Sequence, residues 1–85
     1  MNEIKITIVG QTKVGKSTIT KIIYDALKQH GIKTELSNEV LFDYGGDERI
    51  FNERLSMFSD KRIGAVKNKS KIVLHEIQAN MDIKK

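Results

Sequence analysis

Gly10-Gln11-Thr12-Lys13-Val14-Gly15-Lys16-Ser17 is the most informative run of residues in this 85-residue chain. At average residue usage, two glycines at this spacing followed by Lys and Ser occur by chance in about one window in 10⁴–10⁵. Each fixed residue has a physical use. Gly10 and Gly15 open backbone angles closed to other residues and let the chain pass near a ligand. The loop N–H groups then turn inward as an anion nest, at the positive end of a following helix. Lys16 adds an ammonium, and Ser17 adds a hydroxyl able to ligate Mg²⁺.

The pattern on both sides of the loop suits it. Ile4, Ile6 and Ile8 alternate with Lys5, Thr7 and Val9, which predicts a strand over 4–9. Downstream, Ile19, Ile22, Ile23, Ala26 and Leu27 recur at helical spacing. They predict a helix from Lys16 to His30, closed by Gly31. Ile32 to Leu36 and Val40 to Phe42 read as a second strand region, with a turn at Ser37-Asn38. Tyr44-Gly45-Gly46-Asp47 reads as a loop whose Asp47 caps the next helix. Ile50, Phe51, Leu55, Met57 and Phe58 predict that helix, ending near Gly64, with Phe51, Leu55 and Phe58 in the core. Ile72-Val73-Leu74 predicts a third strand over 71–78, and 79–85 reads as a frayed tail. The order β-α-β-α-β predicts an α/β fold. It would be a three-stranded, mainly parallel sheet with two helices, in a single domain over 1–85.

The residues around the loop resemble those of the P-loop NTPases. Gly10, Gly15, Lys16 and Ser17 match the Walker A motif of that superfamily. Ile6-Thr7-Ile8-Val9-Gly10 with Gly15-Lys16-Ser17-Thr18 is most similar to its kinase-like branch. Length and layout resemble short P-loop proteins encoded by bacteriophages. The resemblance is sharp over Met1 to Gly31, about a third of the chain. It implies a nucleotide-binding loop made of Gly10, Gln11, Thr12, Lys13, Val14, Gly15, Lys16, Ser17 and Thr18. The nucleotide would be ATP or another nucleoside triphosphate, with Mg²⁺ ligated by Ser17. Lys16 would stand between the β- and γ-phosphates as a catalytic cation.

Such loops often carry a small residue where this one has Lys13. Its ammonium either points to solvent or adds a second charge near the phosphates. A further acid is needed to organise Mg²⁺ and water. By the family's layout, Asp43 after Val40-Leu41-Phe42 would be the catalytic base. Glu76, after Ile72-Val73-Leu74-His75, would be a metal ligand. Each reads equally as an ordinary carboxylate at a strand end. The guanine-reading Asn-Lys-x-Asp motif is not completed, because Lys71 follows Asn68-Lys69-Ser70.

Composition bounds the function. The chain is 39% apolar and 31% charged, a folded range rather than a disordered one. No apolar run approaches the ~20 residues of a membrane span, and the N-terminus lacks the layout of a signal peptide. With no Cys, disulfides and Cys-based zinc sites are excluded. These features lead to the expectation of a cytoplasmic protein without membrane association. The net charge of +4 is divided as +4 over residues 1–33, −5 over 34–60 and +5 over 61–85.

After Ser17 only 68 residues remain, too few for the lid with which kinases close their sites. Three readings follow. One is a minimal Mg²⁺-dependent NTPase or phosphotransferase, completed by a homodimer. Another is a non-catalytic nucleotide-binding module acting through a protein partner. The third is a nucleic-acid binder using the basic C-terminal third, although no aromatic residue interleaves its lysines to stack on bases.

Overall fold

Helix α1, Lys16–Gln29, follows directly from the loop. It comes from a computed structural model that describes residues 2–11 and 13–78, so Thr12 of the expected loop and the expected tail at 79–85 lie outside the described residues. The helix ends as its sequence predicts. Gly31 is left-handed at φ 73°. Its N–H donates to the Lys28 carbonyl at 2.9 Å, and the Ile32 N–H donates to the Leu27 carbonyl at 3.0 Å. This is the paired arrangement with which glycine-terminated helices satisfy their last carbonyls.

The face that α1 buries differs from its apolar stripe. Thr18 and Tyr24 are buried, while Ile22 and Ala26 are exposed and Ile19, Ile23 and Leu27 half-buried.

The next segment corrects the expected strand at 40–42. Asn38–Leu41 is helix α2, continued by a 3-10 turn at Phe42–Tyr44. Ser37 Oγ accepts from the Val40 N–H at 3.3 Å, so Ser37 is a helix cap rather than a turn residue. Three apolar residues carry too little periodicity to separate strand from helix. The cap, with Glu39 in the first turn, favours the helix.

Asp47 caps helix α3, Glu48–Ser56, by accepting from the Arg49 N–H at 2.8 Å. The helix expected to run on to Gly64 instead stops at Met57. A second one, α4, spans Ser59–Lys69. The break is at Phe58, whose φ is 56°. Phe58 is consequently exposed and not part of the core.

The core lies where α1, α3 and α4 meet. Its buried apolar side chains are Tyr24, Phe51, Leu55 and Val66. Tyr24 and Tyr44 both stand edge-on to Phe51, with ring centroids 6.2 and 5.2 Å away. Full burial of one such side chain stabilises a fold by roughly 1.5–3 kcal/mol. Lys21 bridges α1 and α3, donating to Asp25 Oδ1 at 2.8 Å and to Asn52 Oδ1 at 3.0 Å.

Among the described residues there is no strand. Segments 2–10 and 70–78 lack the backbone ladder of a sheet, and so does 32–36. Ile4, Val9 and Leu74 are each 88% exposed. The β-branched residues of these segments suit extended backbone, but a sheet also needs partner strands and a face to bury. Here the helices bury their side chains on one another. The expected three-stranded α/β fold is therefore overturned, and with it the sheet on which P-loop NTPases are built. The radius of gyration, 14.6 Å, exceeds the roughly 12 Å of a compact chain of this length. Among the described residues, no helix is long and apolar enough to cross a membrane.

Candidate functional site

The loop before α1 closes on itself. Lys16 Nζ donates to the Gly10 carbonyl at 2.7 Å. A Cβ on Gly10 would lie 3.1 Å from Val14 Cγ2, so the turn is tight on that side. Lys13 is exposed, with the left-handed φ of 67°. Gln11 is also exposed.

Gly15 is left-handed at φ 101° and serves as the N-cap of α1. A Cβ there would come within 2.5 Å of Val66 Cγ2. Glycine is thus required both by backbone angle and by the close approach of α4. One helical turn further, Ser70 Oγ donates to the Val14 carbonyl at 2.8 Å. Val66 and Ser70 together hold the loop against the end of α4. The sequence reading missed both residues. The only available signal was their spacing of four, hidden by taking Gly64 as a helix stop.

The N-terminus of α1 has no side-chain cap and no acidic residue in its first turn. Its first intrahelical bond runs from the Ile19 N–H to the Gly15 carbonyl at 3.0 Å. Earlier N–H groups have no acceptor within the helix. They form the positive end of the helix, which favours a negative ligand. Ser17 is exposed beside them. Thr18 is buried and lines a cleft of about 170 Å³ with Lys21, Leu55 and Arg62. That volume is below the roughly 300 Å³ at which pockets for small ligands begin.

The two expected acids stand elsewhere. Asp43 is exposed in the 3-10 turn, which packs on α2 and α3. Glu76 is exposed in the segment after α4, as is His75. Among the described residues, no hydrogen bond or ion pair joins Asp43 or Glu76 to the loop. Nor do three or more His, Cys, Asp or Glu side chains form a group that could hold a metal. The Tyr44 ring stands edge-on to Phe51 and so packs on the core.

Among the described residues, those present suit a phosphate group: helix N–H groups without an intrahelical acceptor, an ammonium on the loop and no acid in the first turn of α1. For Mg²⁺ the protein's contribution would be the Ser17 hydroxyl. Phosphate oxygens and waters would complete the shell, as they commonly do for this ion.

Comparison with family models, with curated proteins and with solved structures finds no match. The resemblance to P-loop NTPases, and to their short phage-encoded forms, is therefore corrected on two grounds. No relative supports it, and the helical fold lacks the sheet it implies. What remains is a local motif at a helix start.

Proposed function

We propose that the chain binds the phosphate groups of a nucleoside triphosphate, ATP or another, with Mg²⁺. The site would be the Gly10–Ser17 loop and the start of α1. The proposal stands on local chemistry and not on family membership. The observation that carries it is the first turn of α1, which has neither side-chain cap nor acid, with the Lys16 ammonium held at the Gly10 carbonyl of the same loop. Phosphate oxygens would accept from the N–H groups, and Lys16 would exchange the Gly10 carbonyl for a charged acceptor. The ammonium already assists the bond to Gly10, and an anionic acceptor would add the attraction of opposite charges. Bound Mg²⁺ would neutralise part of the phosphate charge, and Ser17 would orient it.

Binding without useful turnover is the better form of this reading. Phosphoryl transfer needs an oriented nucleophile in a site closed to water, and Asp43 and Glu76 are exposed, with no hydrogen bond or ion pair to the loop among the described residues. Ile4, Val9, Leu74 and Ile77 are exposed, and a protein partner or a second copy would have apolar side chains to cover there.

Calorimetry with MgATP tests the proposal, alongside chromatography for ADP over several hours. The wild-type chain is expected to bind with Kd on the order of 10 µM and release no ADP above the blank. Lys16→Ala should weaken binding by roughly 10–100-fold, the loss of one charged hydrogen bond. Absence of wild-type binding would refute the site. ADP production abolished by Lys16→Ala would replace the binding module with an enzyme.

A further inference from the structure

Thr18 is 9% exposed, and among the described residues its hydroxyl has no hydrogen-bond partner. A helical threonine can donate to the carbonyl four residues back, as Thr20 does to Lys16 at 2.8 Å. For Thr18 that carbonyl belongs to Val14, and it already accepts from Ser70 Oγ at 2.8 Å. A buried hydroxyl without a partner is costly, and folded proteins rarely keep one unserved. Thr18 borders the cleft of about 170 Å³ between α1, α3 and α4, where a partner has room.

The other polar groups of this cleft are mostly donors. Ser59 opens α4 and lines the cleft. Among the described residues its hydroxyl is also unbonded. Its backbone N–H has no acceptor within the helix, because the first bond of α4 runs from the Arg62 N–H to the Phe58 carbonyl at 2.9 Å. Phe58 supplies no side-chain cap, and Asp60, the acid of that turn, does not line the cleft. Arg62 Nε donates to the Met57 carbonyl at 3.0 Å, and Nη2 to the Arg54 carbonyl at 3.5 Å. These bonds hold the guanidinium at the end of α3 and leave its remaining N–H groups to donate elsewhere. Among the described residues Arg62 has no carboxylate within 4.0 Å. Lys21 and Asp25 also line the cleft, but they offset each other as an ion pair at 2.8 Å. Arg62 is the charge left over.

We propose that the cleft between α1, α3 and α4 binds a small oxyanion, a phosphate or a carboxylate group, through the Thr18 and Ser59 hydroxyls and Arg62. The oxygens of such a group accept only, which matches a lining rich in donors with one uncompensated cation. A cavity of about 150 Å³ holds a benzene molecule, so the cleft takes a group of about that size and not a nucleotide. This site is separate from the Gly10–Ser17 loop and does not depend on it.

The test is an NMR titration of the isotope-labelled full chain with inorganic phosphate and, separately, with acetate, at fixed ionic strength. The Ser59 and Ile63 amides are expected to shift and saturate with at least one anion, with Kd on the order of 1 mM. The anion that binds more tightly identifies which group the cleft takes. Thr18→Val keeps the shape and removes the hydroxyl. It should weaken binding at least fivefold while raising the thermal midpoint of the anion-free chain by a few degrees, since an unpartnered buried hydroxyl is gone. Ser59→Ala should weaken binding about threefold and Arg62→Gln about tenfold. Circular dichroism checks that each variant keeps its helices. Lys61→Gln, an exposed lysine of the same turn that does not line the cleft, should stay within twofold.

No saturable shift at Ser59 or Ile63 with either anion up to about 20 mM overturns the proposal. So does a Thr18→Val chain that binds as tightly as wild type. A Thr18→Val chain that is more stable, in a protein whose wild type binds neither anion, marks a cleft that holds water alone and also overturns it. Shifts confined to Gly10–Ser17 remove the cleft site and leave the loop reading standing. Saturable shifts at Ser59 and Ile63 in a chain that does not bind MgATP do the reverse.

Discussion

Gly15 carries two constraints at one Cα, and they separate by mutation. A left-handed non-glycine residue costs about 1–3 kcal/mol, and forcing a methyl into packed side chains costs a similar amount. A Cβ at Gly15 would meet both penalties, since φ is 101° and Val66 Cγ2 would lie 2.5 Å away. Gly15→Ala is therefore expected to lose about 3 kcal/mol in urea denaturation. Adding Val66→Ala should recover the overlap but not the backbone strain, so the double variant is more stable than the two single losses combined predict. A neutral Gly15→Ala would mean that α4 does not press on the loop. The same residue shows how far the site can be read from sequence. Gly15 is legible because a left-handed turn at a helix start calls for glycine, whereas Gly10, expected to need such an angle too, does not have the left-handed φ. Val66 and Ser70 are not legible. Ser70 reaches Val14 across 56 positions, and nothing near either residue signals that meeting. Asp43 and Glu76 drew roles only through strands that do not form.

At the scale of elements, α4 is the piece that periodicity and glycine punctuation misplace. Gly64 reads as a stop, yet it lies inside Ser59–Lys69, and a Cβ there would meet no atom within 4 Å. An interior helical glycine is about 0.5–1 kcal/mol worse than alanine. Gly64→Ala should therefore stabilise the chain by that amount and raise the thermal midpoint by a few degrees. A destabilised Gly64→Ala would show that the helix does not continue through this position. Helix α1 is legible for the opposite reason. It has a long periodic run, a glycine terminator and no competing signal. The segments at 2–10 and 70–78 are half legible. Side-chain branching favours extended backbone, but a ladder depends on what lies beside them. Tertiary packing of α1 against α3 and α4 takes the burial that a sheet would have used.

For the whole molecule, two sets of apolar residues compete for the role of core, and they can be weighed directly. Phe51 is 0% exposed and sits between the rings of Tyr24 and Tyr44. Ile4 and Leu74 are 88% exposed. A chain of this length has a total stability of roughly 4–13 kcal/mol, and a buried Phe→Ala change removes about 3–5 kcal/mol. Phe51→Ala should thus abolish a cooperative thermal transition, or lower its midpoint by well over 10 °C, in a circular dichroism melt. Ile4→Ser and Leu74→Ser should each shift stability by under about 0.5 kcal/mol, the range of surface substitutions. The comparison must be made in dilute solution, where any second copy is dissociated, and repeated at high concentration. If Ile4→Ser or Leu74→Ser is as damaging as Phe51→Ala when dilute, segments 2–10 and 70–78 are packed within the chain and the helical core is not what holds it. If they matter only when concentrated, those segments stabilise an assembly, because binding to the folded form adds stability by mass action.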